Sequence, residues 1–326
     1  MKKLLLLFLC LLLPTCALGE SANSCEGTLS TGNRLVKDGW IYQVMGVTDD
    51  SAPDTPSYRI GRAPLDAPAN WQTVFGPATH YIGFLCDWGD SIAFVDNSHA
   101  VLYAMDADGS NPRMLYESPT PIEAMLAADG ALYFCNYDGL YRFDEANGPI
   151  QLYAARHRMG RHFAHVDDVL IFSECSPDGS APADEIGLFA IAPDGSGLRR
   201  LTCGEPASFT VHGDMLYTAI KQPENGDEAP AAQTVALNLV TGEQTFLCER
   251  TFTFRQQAQG CYSVGEQASD GYHLYLFVST DSYFHPDSMR AIELDDRQFL
   301  LNGRMTFVND DGSLTMTPLA DWLAAN

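Results

Sequence analysis

The sequence predicts an all-β protein, a single β-propeller of seven blades. Three observations predict it. A turn pair followed by an alternating apolar–aromatic strand returns along the whole chain. A strand, a tight turn and another strand follow each of the first six copies. No sustained helical pattern lies between the strands, which argues against a βαβ architecture.

The recurring element appears first as Asp38-Gly39-Trp40-Ile41-Tyr42 and then as Gly89-Asp90-Ser91-Ile92-Ala93-Phe94. It returns at Asp129 to Phe134, Asp167 to Phe172, Gly213 to Tyr217, Tyr272 to Phe277 and Asn302 to Phe307. The strand cores begin at 41, 92, 132, 170, 216, 274 and 306. The mean step of about 44 residues is the length of one four-stranded blade. The partner hairpins are clearest in Val101 to Ser110, Gly139 to Asp144 and Leu188 to Ser196. Their Asp-Gly-type pairs supply the turns. One such sheet cannot bury both of its faces, but a ring of them covers every face. A sandwich or a linear stack is the rival arrangement, and neither requires the same two turns seven times.

The last unit decides the blade count. Met305 to Asn309 reads as its second strand and Ser313 to Pro318 as its third, and the chain then ends without a fourth. Glu26 to Ser30, ahead of the first strand near Leu35, is placed to supply it and close the ring. Six blades plus a terminal hairpin is the runner-up. Residues 20–326 form one domain in either case.

The repeated aspartate–glycine–apolar–tyrosine strand, with the Leu-Tyr-x-x-Asp-x-Asp-Gly type hairpin behind it, resembles a family. Its members are bacterial secreted proteins of unknown function with low-density-lipoprotein-receptor-like propeller repeats. The resemblance runs from about Leu35 to Leu319. It implies a propeller, an extracytoplasmic setting and a binding role, and it brings no catalytic residues. The receptor-type Tyr-Trp-Thr-Asp tetrapeptide is absent.

The N-terminus supports the same setting. Lys2 and Lys3, an apolar run from Leu4 to Leu13, and small residues at Ala17 and Gly19 read as a signal peptide over 1–19. Leu13-Pro14-Thr15-Cys16 resembles a lipoprotein cleavage box, which makes Cys16 the lipidation candidate, although Thr15 departs from the usual small residue. The apolar run is too short to span a bilayer, and no second run follows, so no transmembrane span is expected in the mature chain. Beyond the leader stand Cys25, Cys86, Cys135, Cys175, Cys203, Cys248 and Cys261. Their odd number leaves at least one unpaired within a monomer. Cys248 and Cys261 are spaced to staple a turn, and Cys135 reads equally well as a small core residue.

The chain has 326 residues with 19 Lys+Arg against 42 Asp+Glu, a formal charge of −23. That balance argues against nucleic acid and against anionic membranes as partners. It leaves an extracellular protein, peptide or glycan.

In a propeller, the second-to-third connections and the links between blades emerge on one face, here named the crossover face. The first-to-second and third-to-fourth hairpins emerge on the other, the hairpin face. Four long insertions, Val47 to Pro56, Ser176 to Glu185, Gln222 to Ala232 and Ser279 to Asp287, are expected on the crossover face. They gather eleven acids: Asp49, Asp50, Asp54, Asp178, Asp184, Glu185, Glu224, Asp227, Glu228, Asp281 and Asp287. Long loops on a rigid frame are where binding concentrates. Against these acids stands one basic run, Arg156, His157, Arg158, Arg161 and His162, with His165 beyond it. Such arginines hold a carboxylate, sulfate or acidic sugar, or else pair with neighbouring acids and brace the ring. Tyr283, Phe284 and His285 form an aromatic candidate for glycan or peptide contact. Trp40 and Trp88 read as packing residues.

No metal and no cofactor are expected. Asp106-x-Asp108-Gly109 and Asn309 to Gly312 lack the late glutamate of a calcium loop. There is no GxSxG elbow, HExxH or phosphate loop. The functional expectation is therefore a secreted or envelope-attached binding or scaffold propeller. The alternative is a carbohydrate-active hydrolase or lyase on the same scaffold.

Overall fold

The computed structural model describes residues 34–49, 52–65, 67, 70–78, 81–96, 100–166, 168–176, 179–212, 214–221 and 232–248. It further describes 252–258, 261–268, 271–278, 298–301, 304–309, 314–318, 321, 322 and 325. The leader, Cys16, Cys25, the Glu26 to Ser30 segment, and Tyr283, Phe284 and His285 lie outside these residues.

Among the described residues the strands form seven antiparallel sheets in chain order, and each sheet is a plain meander. Sheet one holds β1 (Arg34–Lys37), β2 (Trp40–Asp49), β3 (Ala52–Pro64) and β4 (Gln72–Ala78). Sheet two holds β5 (Ile82–Trp88), β6 (Ser91–Asp96), β7 (Val101–Asp106) and β8 (Arg113–Glu117). Sheet three holds β9 (Ile122–Ala128), β10 (Ala131–Asn136), β11 (Gly139–Asp144) and β12 (Gly148–Ala154). Sheet four holds β13 (Arg158–Val166), β14 (Val169–Cys175), β15 (Gly187–Ile191) and β16 (Arg199–Arg200). Sheet five holds β17 (Glu205–His212), β18 (Met215–Lys221), β19 (Ala232–Asn238) and β20 (Gln244–Cys248). Sheet six has β21 (Phe252–Ala258), β22 (Cys261–Ala268) and β23 (Gly271–Val278). Sheet seven has β24 (Gln298–Leu301), β25 (Arg304–Val308) and β26 (Leu314–Pro318).

The first strand of each sheet touches the first strand of the next, from β1 through β5, β9, β13, β17 and β21 to β24. Neighbouring sheets therefore lie against one another along the chain. The second strands show the consequence: Ser91 to Val95 and Ala131 to Asn136 are buried at every position. Alternate residues feed different cores. Leu132 and Phe134 pack toward sheet two with Val95, Leu102 and Ile122, while Tyr133 and Cys135 pack toward sheet four with Phe163 and Phe172. Equivalent cores join sheet one to sheet two around Tyr42, Ile60 and Phe94, and sheet four to sheet five around Ile171, Phe209 and Leu216. Each fully buried phenylalanine contributes about 2 kcal/mol by leaving water. The outer strands alternate weakly or lie exposed, as in β8 and β16.

Turn chemistry follows the sequence closely. Asp38-Gly39 and Asp129-Gly130 have φ of 50° and 78°, and of 49° and 75°. Positive φ at both central residues is the type I′ hairpin turn that matches strand twist. The Asp106 turn closes on itself: the Ser110 N–H donates to Asp108 Oδ1 at 2.8 Å, and Asn111 Nδ2 donates to Asp106 Oδ2 at 2.6 Å. Gly109 in that turn sits against sheet one, where a Cβ would lie 2.4 Å from the Val74 carbonyl oxygen. Asp194 repeats the pattern, accepting the Ser196 N–H at 2.8 Å.

Three expectations are corrected. Val47 to Pro56 is not an open insertion, because the β2–β3 ladder runs on to the pair Asp49 and Ala52. Tyr272 to Phe277 is the third strand of sheet six, and its second strand is β22. The chain therefore leaves β23 at the hairpin face, and the reason for placing Ser279 to Asp287 on the crossover face falls away. Cys248 and Cys261 flank the whole of β21 rather than one turn. The expected start of the first strand near Leu35 and the last two strands of the chain agree with the structure. Met316 in β26 packs on Ile41 in β2, so the last sheet touches the first. No helix among the described residues is long and apolar enough to cross a membrane.

Candidate binding site between sheets three and four

The basic run begins in the link between these sheets and continues into β13. The link is held by one carboxylate. Glu174, near the end of β14, is fully buried. Its Oε1 accepts the backbone N–H of Arg156 and that of His157, the latter at 2.7 Å, and its Oε2 accepts the Tyr153 hydroxyl at 2.7 Å. A buried carboxylate needs such donors, since leaving it unmatched costs several kcal/mol (on the order of 3). Burial, followed by the bond to Glu174, pushes the Tyr153 phenol well above its ordinary value.

The arginines meet a second carboxylate across the sheet boundary. Glu123 sits in β9 where the ladder skips from the pair Ile122–Asn136 to Ala124–Cys135. This bulge leaves Glu123 outside the ladder, and a bulge re-aims the side chain it carries. Glu123 Oε1 accepts from an Arg158 terminal nitrogen at 3.3 Å, and its Oε2 lies 2.8 Å from Arg161 Nε. The Glu123 side chain is only 10% exposed, against 71% for Arg161. The Arg158 guanidinium also lies 4.1 Å over the Tyr137 ring. His157 Nε2 is 3.0 Å from Glu185 Oε2. Arg156 is exposed, and among the described residues no carboxylate stands within ion-pair distance of its guanidinium.

β13 is itself bulged. Met159 faces Glu174 and Phe163 faces Phe172, so Gly160, Arg161 and His162 together oppose Ser173. The His162 backbone lies in this bulge. His165 belongs to the opposite end of the sheet. It is buried, stacked on Tyr133 at 6.0 Å, with Nε2 3.2 Å from Asp129 Oδ2. The two nitrogens have no aligned hydrogen bond, so this contact is one of charge proximity.

The structure thus gathers Arg156, His157, Arg158 and Arg161 at one place, and separates His165 from them. Bracing by acids is observed for Arg158 and Arg161, but the acid comes from a strand bulge rather than from a loop. Sequence reading missed Glu123, Glu174, Tyr137 and Tyr153. Glu174 alone left a trace, as an acid closing the apolar run Val169 to Phe172. Of the tryptophans, Trp40 lies under the Arg62 guanidinium at 4.3 Å, and Trp88 donates to the Gly130 carbonyl at 3.0 Å. Cys86 and Cys135 are buried free thiols, and burial pushes the Cys86 thiol up to about 12. Cys175 and the exposed Cys203 are also free. Among the described residues no cluster of three or more His, Cys, Asp or Glu is arranged to hold a metal.

No family model matches the chain, and no curated protein matches it in sequence. Solved structures do match. Acylaminoacyl peptidase of Pyrococcus horikoshii superposes with a TM-score of 0.58 at 11% identity, over 94% of this chain and 55% of that one. This chain therefore spans about half the length of the peptidase. The β-propeller domain of the trilobed protease from Pyrococcus furiosus, described as having an open velcro topology, gives 0.53 at 10% identity, over 90% of this chain and 93% of that one. At such identities the likeness shows the fold alone, and the fold is a β-propeller.

Proposed function

We propose that this propeller works outside the cytoplasm, secreted or held at the cell envelope, and binds a protein, peptide or carbohydrate on its crossover face. The reading rests most on one observation: Arg156 and Arg161 stand exposed on a link and strand that Glu174 and Glu123 hold in place. A rigid frame presenting open guanidinium groups is suited to recognition rather than to packing. Lys2, Lys3 and the apolar run behind them support export, and Cys16 offers a lipid anchor. The likeness of the repeats to receptor-type propellers supports a binding role. Ring closure over seven blades, completed by Glu26 to Ser30, is part of the same reading, and the Met316–Ile41 contact supports it.

The hydrolase or lyase alternative asks for two free carboxylates across a cleft. Glu174 and Glu123, the buried or nearly buried carboxylates at this mouth, have both oxygens engaged.

The test is a glycan and peptide array probed with the mature chain and with an Arg156→Ala/Arg161→Ala variant. Binding that the variant loses supports the proposal. An array on which the wild-type chain binds nothing sinks it. Intact mass of the exported protein distinguishes cleavage after Gly19 from a lipidated Cys16, and retention of the leader would overturn the export reading.

A further inference from the structure

We infer that the mouth between sheets three and four takes a free carboxylate group, on Arg156 and Arg161, and that Glu123 is its built-in competitor. This rests on the reading of that mouth as a binding face. Glu123 shows that the geometry accepts a carboxylate: one oxygen meets Arg158 and the other meets Arg161, from the neighbouring sheet. Each guanidinium has five N–H donors in a planar fork. Glu123 takes one nitrogen of each arginine. Arg158 is further fixed over Tyr137. The terminal nitrogens of Arg161 remain at the surface, on a side chain 71% exposed. They form the edge that binds a carboxylate through two parallel bonds. Arg156, in the link that leads into β13, is also exposed, on backbone anchored by Glu174.

Charge selects among anions. Arg156, Arg158 and Arg161 are matched there by Glu123, Glu174 and Glu185, so the mouth carries no large excess of positive charge. The chain around it carries −23. That field opposes phosphates and polysulfates more than a group with a single charge. A carboxylate is therefore favoured over a multiply charged anion.

The experiment titrates the full mature chain with two pairs of probes, followed by NMR or calorimetry at low salt. D-glucuronate is paired with D-glucose, and N-acetylglycine with N-acetylglycinamide. The charged member of at least one pair is expected to bind and its neutral mate not to. Glucuronate alone points to an acidic sugar, N-acetylglycine alone to a peptide C-terminus, and both to the carboxylate itself. Arg161→Ala should raise the dissociation constant about tenfold. Glu123→Gln should lower it about threefold, because it removes the competitor's charge and keeps its shape. Circular dichroism and the melting profile check that each variant is folded, and Arg161→Lys retains charge without the fork if the alanine variant is not. Failure of both charged probes up to tens of millimolar overturns the inference, as does weaker binding in folded Glu123→Gln. An array partner that survives loss of Arg156 and Arg161 overturns the carboxylate site and the placement of binding at this mouth, but leaves a binding propeller standing. An array that is blank as well removes both readings.

Discussion

The two faces of the propeller are joined by different chemistry. On the hairpin face, side chains of one sheet reach turns of the next and end largely on backbone. Lys37 donates to the Gly89 carbonyl at 2.5 Å and to Asp87 at 2.6 Å. Trp88 donates to the Gly130 carbonyl, and Tyr42 and Arg62 both donate to the Ala107 carbonyl at 2.7 and 2.9 Å. On the crossover face, the contact between sheets three and four runs through ionised side chains, Glu123 with Arg158 and Arg161. A carbonyl in a tight turn has one position, so contacts to it fix the spacing of the sheets. A guanidinium can exchange one carboxylate for another. The hairpin face is thus suited to holding the fold, and the crossover face to exchange.

Substitutions that remove one contact on each face sharpen this contrast. The largest loss is expected for Lys37→Met. Lys37 is 8% exposed and Asp87 12%, so the variant strands a nearly buried carboxylate. Removing one member of such a pair costs about 3 kcal/mol, read from guanidinium chloride unfolding. A cost below that of Glu174→Gln would break the comparison. Glu174→Gln replaces one acceptor oxygen by a donor that faces other donors, at about 2 kcal/mol. It should also speed hydrogen exchange at the amides of Arg156 and His157, and unchanged exchange there would show that the link holds its shape without the carboxylate.

Titration gives a smaller, signed effect. The folded protein holds the Tyr153 proton more tightly than the unfolded chain does, because burial and Glu174 raise its pKa. The stability this provides is complete below the unfolded value of about 10 and declines as pH rises past it. Tyr153→Phe should therefore flatten the alkaline fall in unfolding free energy, and an unchanged slope would count against the Glu174 arrangement. The smallest effect is expected on the exposed rim. Arg113 and Glu145 pair at 2.6 Å with side chains 40% and 54% exposed. Arg113→Ala should change stability by about 0.5 kcal/mol or less. A loss as large as that at Lys37 would mean that exposed pairs also hold the sheets.

What the sequence disclosed depends on where each force originates. The second strands of sheets one to five were legible because turn type and side-chain parity are local properties, written in Asp38-Gly39 or Asp129-Gly130 and the residues behind them. Sheet six was misread because Tyr272 to Phe277 is more aromatic than Cys261 to Ala268, so the third strand carried the stronger pattern. The uneven spacing around 274, long before it and short after it, was the available warning. The β2–β3 arm was hidden by Asp49, Asp50, Ser51 and Pro53, which read as loop formers although pairing continues to Asp49. Of the candidate site, the arginines were visible as a basic run. Glu123 was not, because only pairing with β10 shows that it leaves the ladder.

That departure is not confined to sheet three. The inner strands of sheets two to five all slip against their partners near the crossover end: after Gly83 in β5, at Glu123 in β9, after Met159 in β13 and after Pro206 in β17. The one-residue slips in β5, β9 and β17 reset which way successive residues point, whereas the slip in β13 spans two residues and keeps the parity. In β5, β9 and β17 the crossover half of the inner strand is thereby uncoupled in parity from the half that packs between sheets. Residues at the crossover end of these strands can be exchanged for new chemistry while the interior half of the same strand keeps its fit, which makes this fold easy to retarget without being rebuilt.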